Sequence, residues 1–197
     1  MSVLRTTRTD RDESQLLGAN VRVRPPELRD WQDWAELRTA SRDFLVPWEP
    51  AWASDPHSRA AYRRRLRRQQ RDASDDICYS YFLTRLADNA LMGGITLSNI
   101  QRGVAQTCNV GYWIGEPYAR SGYMTEGLKC ALRYCFGSLG LHRVEAACMP
   151  NNSASQALLQ RCGFRREGYA RKFLKINGVW RDHLLFAVIE DEWRRPD

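Results

Sequence analysis

The stretch from Asn109 to Phe136 reads NVGYWIGEPYARSGYMTEGLKCALRYCF and changes period once along its length. Its first part is strand-like, with Tyr112 and Ile114 alternating with Trp113 in the two-residue repeat of a pleated chain. Beyond a polar turn at Arg120-Ser121-Gly122, apolar residues recur from Met124 through Leu128, Ala131, Leu132 and Cys135. That is the i, i+4, i+7, i+8 spacing of a helix with one buried face. The stretch therefore predicts strand, tight turn, helix. The first amides of such a helix lack an intrahelical acceptor and lie at the positive end of its dipole, which makes an anion site if a ligand can come close. Gly122, without a Cβ, gives that access.

A second cluster, MPNNSASQALLQRCGF from Met149 to Phe164, carries Pro150, Asn152, Ser155, Gly163 and Phe164. In order and spacing these resemble the P-x-N-x-x-S segment and closing G-F of the GCN5-related N-acetyltransferases (GNAT superfamily). In that family acetyl-CoA sits on a Q/R-x-x-G-x-G/A turn after the fourth strand. FLVPWEP (Phe44 to Pro50), EGYA (Glu167 to Ala170) and NGVWRDH (Asn177 to His183) look like its RimJ branch, which acetylates the N-terminal alanine of the fifth small-subunit ribosomal protein. The resemblance runs from about Val21 to Trp193. It implies a single α/β (α+β) domain with a mixed, mostly antiparallel sheet of about seven strands, about four flanking helices, and a splay between strands four and five. Two positions depart from the turn motif. Ala119 stands where Gln or Arg is usual, and Met124 stands where Gly or Ala is usual, adding bulk near the pyrophosphate while keeping its amide.

Length and composition agree with one soluble domain. The chain has 197 residues, 43% hydrophobic and 27% charged, enough for one sizeable core and short for two. No apolar run approaches the roughly 20 residues of a membrane span, and the first residues lack the apolar core of a secretory signal, so no membrane contact and a cytoplasmic location are expected. The six cysteines are scattered without C-x-x-C pairs, which predicts buried reduced thiols and no metal. The net charge of +7 favours anionic partners without choosing among them. A monomer or homodimer is expected.

Residues 1–17 alternate charges without a period and read as a mobile basic tail, leaving 18–197 as the transferase domain. Val21 to Arg24 is a short strand, and Leu28 to Thr39 a helix with an aromatic face. Phe44 to Ala53, with Trp48 and Trp52 among prolines, is a stiff loop, either a channel wall or a plug under a helix. Ser54-Asp55-Pro56 signals the start of a helix running to Asp72. Seven arginines fall between Arg59 and Arg71, suiting rRNA phosphates or a plain solvated face. Strands follow at Ile77 to Arg85 and Leu91 to Asn99, then Thr107 to Ile114. After the central helix come strand Arg143 to Met149, helix Ser153 to Cys162, and a final hairpin of Arg165 to Phe173 and Val179 to Ile189, turning at Asn177-Gly178. Gly93-Gly94 marks a bulge or a close backbone approach.

Acetyl transfer from a thioester needs an anchored donor, a neutral amine, a stabilised oxyanion and a proton for the departing thiolate. The anchor is the turn of Arg120, Ser121, Gly122, Tyr123, Met124 and Thr125. The resemblance implies that backbone groups near Trp113 and Ile114, with Asn152, hold the pantetheine arm, and that an amide on that strand faces the oxyanion. It also implies Ser155 as proton donor to sulfur; otherwise Ser155 is a helix-start serine. Tyr112 and Tyr169 are alternative hydroxyl donors. Glu126, Glu145 and Asp182 are candidate bases, though a glutamate in the first turn, as Glu126 is, is more often a partner of the helix dipole than a catalyst. Trp48, Glu49, Tyr169 and Asp182 are the expected acceptor contacts, and His183 is either packed or an amine sensor. A small-amine acetyltransferase and a non-enzymatic RNA-binding assembly factor are the competing readings.

Overall fold

The computed structural model describes residues 16–53 and 56–193. Its strands are β1 (Leu16–Leu17), β2 (Val21–Arg24), β3 (Tyr79–Arg85), β4 (Leu91–Gln101), β5 (Thr107–Ile114), β6 (Arg143–Cys148), β7 (Arg165–Ile176) and β8 (Val179–Ile189). Its helices are α1 (Trp31–Ala40), α2 (Arg42–Leu45), α3 (Arg59–Ser74), α4 (Tyr123–Phe136) and α5 (Ser153–Arg161). One sheet holds all eight strands in the order β1-β2-β3-β4-β5-β6-β8-β7. Every neighbouring pair is antiparallel except β5 and β6.

Alternation decides which face each side chain takes. In β2, Val21 and Val23 are fully buried while Arg22 and Arg24 are not, the pattern of a strand with one covered face. The larger core lies under α4 and α5, where Leu128, Ala131, Leu132 and Cys135 of α4 meet Leu83, Ile95, Val144 and Phe186 of the sheet. A second cluster on Trp34, Tyr62, Phe82 and Leu91 takes in Trp113 and is capped by α1 and α3. Gly93 and Gly94 mark a close approach, since a Cβ on Gly94 would lie 2.6 Å from the Trp113 indole nitrogen. The β3–β4 register also shifts beside them, between Leu83 and Thr84.

Several boundaries differ from the sequence expectation. Most of the expected tail lies outside the described residues, but Leu16 and Leu17, assigned to it, pair with Val23 and Arg22 as an eighth strand. The Ser54-Asp55 start signal also lies outside them. The helix instead begins at Arg59, capped by Ser58, whose hydroxyl accepts from the Ala61 amide at 3.2 Å. The Phe44 to Ala53 loop is partly helical, in α2 and the 3-10 turn Val46–Trp48. Five of the six cysteines are buried, Cys78 is half-buried, and all are free thiols. Among the described residues no helix is long and apolar enough to cross a membrane, and no cluster of three His, Cys, Asp or Glu could hold a metal.

Candidate active site

The parallel ladder between β5 and β6 is short. It pairs Thr107 with Arg143, Cys108 with Val144 and Asn109 with Glu145, and then ends. From Val110 to Ile114 the β5 backbone is paired only to β4, and from Ala146 onward β6 is paired only to β8. Two strands that start as neighbours thus part toward their C-terminal ends, leaving one edge of β5 with unspent N–H and C=O groups. An extended amide-bearing chain could pair there like an added strand.

The turn between β5 and α4 opens at the same end. Gly122 is the N-cap of α4 with φ +82°, and no side chain caps the helix. Arg120, two residues earlier, is also left-handed at φ +62° and exposed. A Cβ built on Gly122 would meet nothing within 4 Å, so the amides of Tyr123, Met124 and Thr125 face open space beside a positive helix end. Ser121 turns its hydroxyl back to the Ala119 carbonyl at 3.4 Å. The expected bulk of Met124 at this site is not found: its side chain is 4% exposed and packed in the core under the sheet. Only its amide reaches the turn.

Across the gap, Tyr112 of β5 and Ser155 of α5 join hydroxyl to hydroxyl at 2.7 Å. Asn152 sets this geometry by capping α5, its side-chain oxygen accepting from the Ser155 amide at 3.0 Å. Ser155 thereby serves as a helix-start residue through its amide while its hydroxyl points to Tyr112. Burial pushes the Tyr112 phenol well above its ordinary pKa, with the Ser155 hydrogen bond opposing. The Cys148 thiol, also touching Ser155, is pushed up by burial too. Both hydroxyls therefore keep their protons at neutral pH, so the pair can supply one.

The opposite face of β5 carries a different assembly. Arg38 of α1 donates to both carboxylate oxygens of Glu49, at 2.6 and 2.5 Å. Its guanidinium lies over Trp52 at 4.5 Å and over Trp113 at 4.9 Å. Trp52 donates its indole N–H to the same carboxylate at 2.8 Å, and the Glu49 carbonyl accepts from Asn177 at the β7–β8 turn, again at 2.8 Å. Glu49, expected to contact the acceptor, is therefore saturated and acts as a latch. It leaves Trp48, 36% exposed, on the loop so held. Sequence reading missed Arg38. Its one signal was a cation on the helical face of Trp34, four residues earlier, a face otherwise apolar.

The candidate bases are all engaged. Glu126 accepts from the Asn20 amide at 2.7 Å and so faces the β1–β2 edge, on the far side of β3 and β4 from the gap. Glu126, read as a candidate base or a partner of the helix dipole, thus holds the chain before β2. Glu145 is paired with Arg143 at 2.7 Å. Asp182 accepts from the Tyr169 hydroxyl and from the Lys172 amide, the latter at 2.8 Å. It pins the irregularity between Ala170 and Leu174 in β7, where Lys172 has φ +46°. The Tyr169 bond comes first among the causes holding the Asp182 carboxyl below its ordinary range. His183 is buried, with Nδ1 3.0 Å from the Arg181 carbonyl.

Comparison with known proteins gives this geometry a family. Residues 20–165 match the acetyltransferase (GNAT) domain model. The probable N-acetyltransferase YjcK of Bacillus subtilis (strain 168) is 35% identical over 177 residues, covering 90% of this chain and 98% of that protein. The [ribosomal protein uS5]-alanine N-acetyltransferase of Escherichia coli (strain K12) is 34% identical over 171 residues, covering 87% and 88%. Mycobacterium smegmatis RimJ, solved in complex with CoA-disulfide, superposes with a TM-score of 0.83 at 31% identity, covering 87% of this chain and 83% of that one. With a splayed parallel pair, an uncapped glycine turn and the domain match, the chain belongs to the GNAT family of acetyl-CoA-dependent N-acetyltransferases.

Proposed function

We propose that this acetyltransferase modifies a protein N-terminal α-amine in the cytoplasm, with the N-terminal alanine of a small-subunit ribosomal protein as acceptor. The observation that carries the chemistry is the Tyr112–Ser155 hydroxyl pair spanning the strand gap. The acceptor assignment draws support from 34% identity to the uS5-alanine enzyme over nearly its whole length.

Acetyl-CoA supplies an activated acyl group and a thiolate leaving group. The amides of Tyr123, Met124 and Thr125, with the Arg120 guanidinium, hold its diphosphate. The free edge of β5 at Trp113 and Ile114, with the Asn152 side chain, aligns the pantetheine arm. Ser155 gives its proton to the departing sulfur, Tyr112 replaces it through their 2.7 Å contact, and the proton lost by the attacking nitrogen returns to Tyr112 through water. Burial keeps Tyr112 in the phenol form that this relay needs. The α-amine, with a reference pKa of about 7.7 to 8.0, is partly neutral near pH 8 and sheds its remaining proton to water. No dedicated carboxylate is required, in keeping with the engagement of Glu126, Glu145 and Asp182. Trp48, on the latched loop, and Tyr169 flank the acceptor.

Intact-mass analysis tests this with acetyl-CoA and peptides beginning with alanine, alongside the same peptides blocked at the α-amine, polyamines and aminoglycosides. Addition of one acetyl group to the unblocked peptides alone is expected. Label confined to lysine side chains or to the small amines would reject the α-amine acceptor.

A further inference from the structure

Helix α3 presents a cationic face that the transferase chemistry does not use. Six of its arginines, Arg59, Arg63, Arg64, Arg67, Arg68 and Arg71, are exposed. At 100° per residue they fall within about 180° of arc, and at 1.5 Å per residue they span roughly 18 Å of helix. None of the six forms an ion pair or hydrogen bond with a described residue; Arg59 rests on the Trp31 ring at 5.7 Å. The seventh, Arg65, is turned inward over Trp34 at 5.5 Å, and burial lowers its pKa. The helix is held from its other side by buried Tyr62, whose hydroxyl donates to the Glu27 carbonyl at 2.8 Å.

We infer that this arc is a docking surface for the phosphate backbone of structured RNA. The arc itself argues against an apolar protein partner and a lipid surface. Its non-arginine positions are Ala60, Gln70, Ser74 and Asp75, so it lacks the apolar centre around which a protein interface is built. The apolar side of α3 is spent in the core and cannot enter a lipid surface. With no aromatic ring to stack a base, the contact is to phosphates and indifferent to sequence. Guanidiniums four residues apart repel one another on a helix, and a polyanion relieves that repulsion while releasing its counterions. The choice of RNA over DNA rests on the ribosomal acceptor proposed above. The placement suits that acceptor, because α3 caps the same side of the sheet as the Arg38–Glu49 latch.

The test is fluorescence anisotropy of the full chain with a labelled RNA hairpin of roughly 16 base pairs, run over a salt series, with duplex DNA of equal length and polyglutamate in parallel. Six contacts predict a slope of log K against log salt between about −4 and −5, and R63Q/R67Q/R71Q should reduce it to about −2 to −3. The same variant should bind RNA at least about tenfold more weakly at moderate salt while acetylating free peptide as wild type does. That last readout separates failure of the surface from failure of the proposed acceptor. A salt slope unchanged by the triple substitution overturns the inference, as does tighter binding to DNA or polyglutamate than to RNA.

Discussion

Replacing Glu49 with alanine tests whether the acceptor wall is held by a single latch. In the structure the carboxylate takes two hydrogen bonds from Arg38 and one from Trp52, and the paired side chains are 11% and 19% exposed. E49A leaves the Arg38 guanidinium between two indole rings with no anion, on a side chain whose Nε already lacks a partner among the described residues. Breaking a buried ion pair from one side costs about 3 to 5 kcal/mol. Residual exposure lets water reach the orphaned cation, so the lower end, about 3 kcal/mol, is expected.

Replacing both partners removes the stranded charge. R38M/E49L, with a thioether between the rings, should therefore recover most of the loss. Urea unfolding followed by fluorescence and circular dichroism gives both values, and steady-state kinetics gives the functional half. Both variants should raise the KM for the acceptor peptide and leave that for acetyl-CoA unchanged, because the latch lies on the face of β5 away from α4. The reasoning is refuted if E49A unfolds within about 0.5 kcal/mol of wild type, or if the double variant is no more stable than E49A.

Three further outcomes are expected. S155A should lower kcat about 10²-fold, and Y112F somewhat less, with peptide KM little changed; since the Tyr112 pKa is raised, kcat/KM should rise through the amine pKa and stay level to about pH 10, and a descending limb below that pH that vanishes in Y112F would contradict the relay. A119Q, restoring a side chain able to bond the turn, should tighten acetyl-CoA by about fivefold, whereas G122V should weaken it by tenfold or more by straining a φ of +82°; equal KM values in both would remove the turn from the site. Asp76 takes two bonds from Arg102, at 2.6 and 2.8 Å, which hold its carboxyl below its usual range. A depressed carboxyl binds fewer protons folded than unfolded, so its contribution is present at neutral pH and fades below about pH 4; urea midpoints of D76N should fall behind wild type at pH 7, and the gap should narrow steadily as the pH is lowered below that point.

What could be read ahead of the structure was whatever the chain repeats locally. The switch from period two to period 3.6 across Gly122 fixed β5, the turn and α4, because each depends on neighbours within one segment. Boundaries failed where two residues met the same local rule. Ser54 and Ser58 each satisfy the local rule for a cap before α3, and it is Ser58 that accepts from an amide, that of Ala61. The latch could not be read at all, because Arg38 lies 11 residues from Glu49 and meets Trp113 only once α1 folds over β5. Tyr112 and Ser155 were read as alternatives for one role; 43 residues apart in sequence, they are two halves of one hydrogen bond.

Met124 shows the converse, a signal present in the sequence but outweighed by the motif. Against the family turn it is a bulky residue where a small one belongs, which suggests an obstructed diphosphate site. Its own helix says otherwise, since Met124, Leu128, Ala131 and Cys135 share the apolar face, and a side chain on that face points to the sheet. The structure places it there, 4% exposed. Reverting it to the motif residue should then do harm: M124G loses a buried side chain and adds a flexible residue to the first turn, costing about 3 kcal/mol or more, with no gain in affinity for acetyl-CoA. A severalfold lower KM for acetyl-CoA at unchanged stability would mean that the side chain faces the diphosphate, and that helical period does not govern the first turn of α4.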